Sequence, residues 1–146
     1  MTGAPLILDA DGLDALTEEP PPARLRALLT QAWERGSDVL VPALVCAESC
    51  RGAARTRAVE AALARHRDTR AKRPAVRVVQ TDFDLARRVG AILHAIGADT
   101  RDIVDAHSVA VASMHGRAVV VTADPADIAR LASAMPIVRV VTRPAR

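Results

Sequence analysis

Apolar residues fall into two alternating textures along this chain. Short runs of leucine, isoleucine and valine at 6–8, 39–41, 76–80, 118–122 and 137–141 read as strands. The run Ala118-Val119-Val120-Val121-Thr122 is nearly unbroken, as strands of a parallel sheet covered on both faces are. Longer stretches with helical spacing lie between them. After the break at Pro20-Pro21-Pro22, residues 23–35 place Leu25, Leu28, Leu29 and Trp33 on one side of a helix. A turn at Gly36-Ser37-Asp38 leads into the second strand, and Pro42 suits the first turn of a helix running through Glu48. Residues 52–72 are strong helix formers throughout, rich in alanine and arginine. Thr81-Asp82 offers an N-cap to a helix carrying Leu85, Val89, Ile92 and Ile96 and stopped near Gly97. Helices are also predicted over 102–114, ended by Gly116, and over 124–134. This alternation predicts an α/β fold, an open α/β/α sandwich on a central, mostly parallel sheet of four to five strands. No repeat or linker divides the pattern, so residues 1–146 are expected to form a single domain.

Composition narrows the class. Half of the residues are apolar and a quarter charged, the profile of a soluble globular protein. The longest apolar run, 39–47, contains Pro42 and is too short to span a bilayer. The N-terminal stretch lacks a basic segment and is interrupted by Asp9, so it does not read as a signal peptide, and the cytoplasm is the expected location with no membrane partner. Cys46 and Cys50, four apart on a helix, are poorly placed to bridge each other and read as small packed residues. Trp33 and Phe83 are the only residues among Phe, Trp and Tyr, which argues against nucleic-acid readers that stack bases on aromatic platforms. Gly3, Gly12 and Gly36 form no phosphate-cradling pattern, which argues against NTPase or dinucleotide binding.

The acidic residues carry the chemistry. Asp9 closes the first strand and Asp124 lies two residues beyond the strand ending at Thr122. In open α/β sheets ligands bind beyond the carboxyl ends of strands, so both acids point to one place. Asp124, followed by Pro125, is equally readable as a helix cap. Glu48 shares a helix face with Leu44 and Val45 and is expected to turn inward, either into a site or into a salt bridge with Arg51. Asp102 and Asp105 put two like charges on one side of a helix beside apolar neighbours, a repulsion that a cation would relieve; Asp102 also reads as the cap of that helix. His107 points away from Asp105 around the same helix. An oxygen-only set of this kind suits Mg2+ or Mn2+ rather than Zn2+, and suggests metal-assisted hydrolysis of a phosphate ester.

Four segments then stand in a familiar order: LILDADGL around Asp9, VPALVCAESCRG around Glu48, TRDIVDAHSVAVA around Asp105 and VVVTADPADIARL around Asp124. Together they resemble PIN domains, and in particular the VapC-type ribonuclease toxins of bacterial type II toxin–antitoxin systems, from Leu6 to about Val141. The resemblance implies a Mg2+-dependent endoribonuclease, with RNA as substrate, a cognate VapB-type antitoxin as inhibitor and homodimerisation as a common trait. It assigns metal binding and catalysis to Asp9, Glu48, Asp105 and Asp124, with Asp102 as an additional ligand and Thr122 and Asp127 in support. Ala10 and Ile128 depart from the family pattern, which commonly has a hydroxyl residue after the first acid and a phenylalanine at the second place. The alternative is a PIN fold kept as a catalytically inactive RNA-binding or partner-docking module. A phospho-acceptor receiver domain also gathers acids at strand ends, but Lys72, the one lysine, lies far upstream of the position that reading needs.

Net charge, only +3, conceals an uneven distribution. Nine basic residues lie between Arg51 and Arg77 against Glu60 and Asp68, a local balance of +7 that leaves −4 for the rest of the chain. The stripe reads either as a solvated helix face or as a flank for an RNA backbone beside an acidic pocket, with Arg51 and Arg55 as the contacts nearest the site.

Overall fold

Strands form where short apolar runs can be buried on both faces. A computed structural model describes residues 3–67 and 74–146. The elements run β1 (Leu6–Leu8), α1 (Ala10–Leu16), α2 (Ala23–Arg35), β2 (Val39–Pro42), α3 (Ala43–Ser49), α4 (Ala53–Arg65), β3 (Val76–Val79) and α5 (Phe83–Ala95). A single 3-10 turn, Thr100–Asp102, then leads into α6 (Ile103–Ser113), followed by β4 (Arg117–Val121), α7 (Pro125–Ala132) and β5 (Arg139–Arg143). The five strands make one sheet in the order β3-β2-β1-β4-β5, every neighbouring pair parallel. The expected α/β/α sandwich is therefore observed.

Period-two alternation divides the core into two layers. Leu6, Leu8, Val39 and Val41 pack with Leu13, Leu16, Leu25, Leu29 and Val59 of α1, α2 and α4. Ile7, Leu40, Ala118 and Val120 turn to the other face and meet Leu85, Ile92, Val109, Ile128 and Leu131 of α5, α6 and α7. The chain builds outward from β1 through β2 to β3, then restarts on the other side of β1 with β4. That reversal opens a crevice beyond the carboxyl ends of β1 and β4, the place where such sheets hold ligands.

Four expectations are corrected. Helix α1, which immediately follows Asp9, is additional to the predicted elements. The helix expected over 52–72 is observed as Ala53–Arg65, closing at His66; Lys72 and its neighbours at 68–73 lie outside the described residues. Trp33 is 40% exposed, so the buried stripe of α2 is Leu25, Leu29 and Ala32. The last strand begins two residues later than its apolar run, because Ile137 is 93% exposed and pairing starts at Arg139 opposite Arg117.

Candidate active site

Asp9 is the first residue after β1 and the N-cap of α1. One carboxylate oxygen accepts from the backbone N–H of Asp11 at 3.0 Å and of Gly12 at 3.3 Å. Its own N–H donates to the carbonyl of Val121 at 3.1 Å, which fixes the end of β1 against the end of β4. The Thr122 side chain also hydrogen-bonds this carboxylate, while its hydroxyl oxygen accepts from the N–H of Asp124 at 2.9 Å. Thr122, almost fully buried, thus couples Asp9 to the turn that carries Asp124. Asp124 opens α7 with Pro125 behind it, yet its side chain makes no capping bond and stays exposed. Asp124 thus takes the N-cap position with Pro125 next, as the capping reading expects, but without the side-chain bond of a cap.

Asp105, half-buried, sits in the first turn of α6. Burial is the main reason its carboxyl is pushed up to about 6, and the negative fields of Asp127, Asp124, Glu48 and Asp102 add to it. Asp9 is likewise pushed up to about 6, chiefly by burial and further by Asp105, against the pull of its hydrogen bonds. The structure therefore brings all six predicted acids into one electrostatic neighbourhood centred on Asp105. Every prospective donor in it is a carboxylate oxygen, the kind a hard divalent cation takes. The carboxylates ring the crevice rather than close on one point, since among the described residues no three metal-ligating side chains stand ready around a single ion.

Glu48 does not turn inward. It is exposed at the rim, and the buried face of α3 is made by Val45 and Ser49. Asp102 makes no cap bond to α6 either; it is held by the guanidinium of Arg130 at 2.8 Å, which also lies 3.8 Å from Asp127. Arg130 is the residue that sequence reasoning missed. Its spacing of three from Asp127 on α7 was the available sign, but the bond to Asp102 depends on how α6 and α7 pack.

The basic stripe is partly committed. Arg55 is bonded to Asp14, Arg65 to Glu19 at 2.9 Å, and Arg77 lies 3.6 Å from Asp38. Arg51 is exposed and has no ion pair among the described residues. Arg70, Lys72, Arg73 and Asp68 fall outside the described residues. His107 is buried, its Nδ1–H donating to the Ile103 carbonyl at 2.7 Å, and takes no part in the acidic crevice. Cys46 and Cys50 are both free thiols, half-buried on and just after α3. Among the described residues no helix is long and apolar enough to cross a membrane.

Comparison with known proteins agrees with this architecture. The family model for the PIN domain matches residues 13–134. No curated protein matches the sequence. Among solved structures, the VapBC2 complex of Rickettsia felis bound to a DNA fragment from its promoter is similar over 94% of this chain and 97% of that one, at 12% identity and a TM-score of 0.62. FitAB bound to an IR36 DNA fragment gives a TM-score of 0.60 at 19% identity, with 94% of both chains covered. FitAcB from Neisseria gonorrhoeae gives 0.59 at 19% identity, over 93% of this chain and 96% of that one.

Proposed function

The chain belongs to the PIN-domain family, whose members are generally nucleases, and from that premise we propose that it is a Mg2+-dependent endoribonuclease, the toxin of a type II toxin–antitoxin pair. The observation that carries this reading is the carboxylate crevice at the reversal of strand order, with Asp9 and Asp105 both pushed up to about 6. Carboxylates gathered in a crevice where burial first and their mutual fields second oppose ionisation are a poor structural device and a good cation receptor.

Asp9, Asp105 and Asp124 would hold the ion, with Glu48 at the rim; Mn2+ would satisfy the same oxygens. Bound there, the ion would neutralise charge on a phosphodiester and make a water more acidic. The protein's own part is orientation. Asp9 is fixed by two backbone N–H groups and by Thr122, which in turn sets the start of the Asp124 turn. Asp102 and Asp127 support the site through Arg130, which neutralises the side of the crevice next to α7. The substrate is RNA, approached from the exposed Arg51 side. A VapB-type antitoxin and a second copy of the chain are the partners this reading implies, in the cytoplasm.

The test is cleavage of total RNA by the purified protein with Mg2+, beside Asp9→Asn and Asp105→Asn variants and an EDTA control. Cleavage by the unmodified protein and loss of it in all three controls is expected. Cleavage that persists in EDTA and in both variants would sink the metal mechanism, and no cleavage of any RNA would leave the inactive binding module.

A further inference from the structure

A nuclease that grips only the scissile phosphate would hold its substrate weakly, so the nucleotides beside that phosphate need a surface of their own. Two adjoining grooves lie next to the crevice. The first, about 260 Å3, is walled by Thr122, Ala123 and Pro125 after β4 and by Thr142, Arg143 and Pro144 at the end of β5. Asp124 does not itself line the groove, but its chain neighbours Ala123 and Pro125 do, so the groove adjoins the turn that carries a site carboxylate. The second, about 270 Å3, runs on between the same Arg143 and Pro144 and the first turns of α2, at Arg24, Ala27 and Leu28. Arg143 and Pro144 form the saddle between them.

The chemistry of this path matches a nucleic-acid strand. Its floor is apolar, made of alanine, leucine and two proline rings, which suits ribose and base faces where no aromatic platform exists. Its cations are Arg143 and Arg24, both exposed and without an ion pair among the described residues. Arg143 spends one N–H on the carbonyl of Thr142 at 2.8 Å, which leaves most of its guanidinium fork open. An acidic peptide could use the arginines, but it would have to enter beside Asp124 and the other carboxylates. A phosphodiester strand whose scissile group is already held there continues into the grooves without that conflict.

We propose that the two grooves form one track for the single-stranded RNA flanking the scissile phosphate, with Arg143 and then Arg24 contacting successive backbone phosphates. This rests on the nuclease reading above. It assigns RNA contacts to the side of the crevice bounded by β5 and α2, in addition to Arg51.

The experiment measures binding of a fluorescein-labelled single-stranded oligoribonucleotide by anisotropy across a salt series, in EDTA, on an Asp105→Asn background. Arg143→Gln and Arg24→Gln are added singly and together, and Arg87→Gln, on an exposed face of α5 and paired with Asp84, is the control. The double variant is expected to bind about tenfold more weakly at low salt and to flatten the log–log salt slope by about 1.4, the value for two lost single-strand phosphate contacts. With Asp105 restored, the same pair of substitutions should raise KM and leave kcat near its original value. Both arginines are exposed, and unchanged thermal unfolding of the variants separates lost contacts from lost folding. Unchanged affinity and slope in the double variant, with cleavage intact in the unmodified protein, overturns the track alone and leaves the grooves to a protein partner. Absence of both RNA binding and cleavage in the unmodified protein overturns the nuclease reading and the track with it.

Discussion

Asp9 does two things with one carboxylate. It caps α1, which favours the ionised form, and it faces Asp105 from a buried position, which favours the proton. The second effect prevails, and the same holds for Asp105. Below pH 4 each group is protonated in the folded and unfolded chain alike. Between about 4 and 6 the folded state keeps a proton that the unfolded state has lost, so stability falls as pH rises through that window. Above pH 6 the full penalty is present, at most roughly 3 kcal/mol per carboxyl and less for the half-buried Asp105. Metal-free Asp105→Asn protein should therefore have a higher urea midpoint than its parent at pH 7 and the same midpoint near pH 4. An equal gain at both values would show that the charge is not responsible. Thr122→Val should cost about 1–2 kcal/mol, since it strands the Asp124 N–H and frees the Asp9 carboxylate. Thr122→Ser should restore most of that stability and most of the cleavage activity. Asp9, Asp105 and Asp124 were legible in the sequence because strand ends and helix register place them without further information. The exposure of Glu48 was not, because α3 follows directly on β2 and the apolar run 39–47 blurs which part is strand and which helix.

At the scale of elements, the piece that matters most is the one periodicity could not supply. Helix α1 has seven residues and begins Ala-Asp-Gly, a composition that reads as a turn. It forms because Asp9 caps it and because Gly12 lets it lie close over the sheet. A Cβ on Gly12 would sit 3.2 Å from Cβ of Leu8 and of Val121, closer than packed carbons normally approach. Gly12→Ala should therefore push α1 away from β1 and β4, cost about 1–3 kcal/mol in urea unfolding and disturb the N–H that Gly12 gives Asp9. Were the variant as stable as the parent, the close approach would not be the reason for the glycine. The longer elements were legible because each has an amphipathic or doubly buried pattern. The shift of β5 was not, since Ile137 satisfies an apolar pattern while lying in solvent and the paired residues Thr142 and Arg143 are polar at the sheet's edge.

For the whole molecule, the near-neutral total of +3 resolves into an acidic crevice and a basic flank, part of which is tied up in ion pairs with Asp14, Glu19 and Asp38. RNA affinity of the metal-free protein should accordingly fall as salt rises, and Arg51→Gln should weaken it similarly for RNAs of different sequence. A salt-independent affinity, measured by the same anisotropy titration, would rule out backbone charge as its source. The pairing of β1 with β4 sets Leu6 against Val119, nearly the opposite end of the chain. Such a contact closes a very long loop and forms late. Asp9, Glu48, Asp102 and Asp105 all precede in the chain the strand β4, whose Val121 carbonyl holds the Asp9 N–H. A chain halted short of Arg117 carries four of the six acids but lacks the Val121 carbonyl and the Thr122–Asp124 turn that fix Asp9 against the crevice. The crevice is therefore among the last features of the fold that the growing chain can complete.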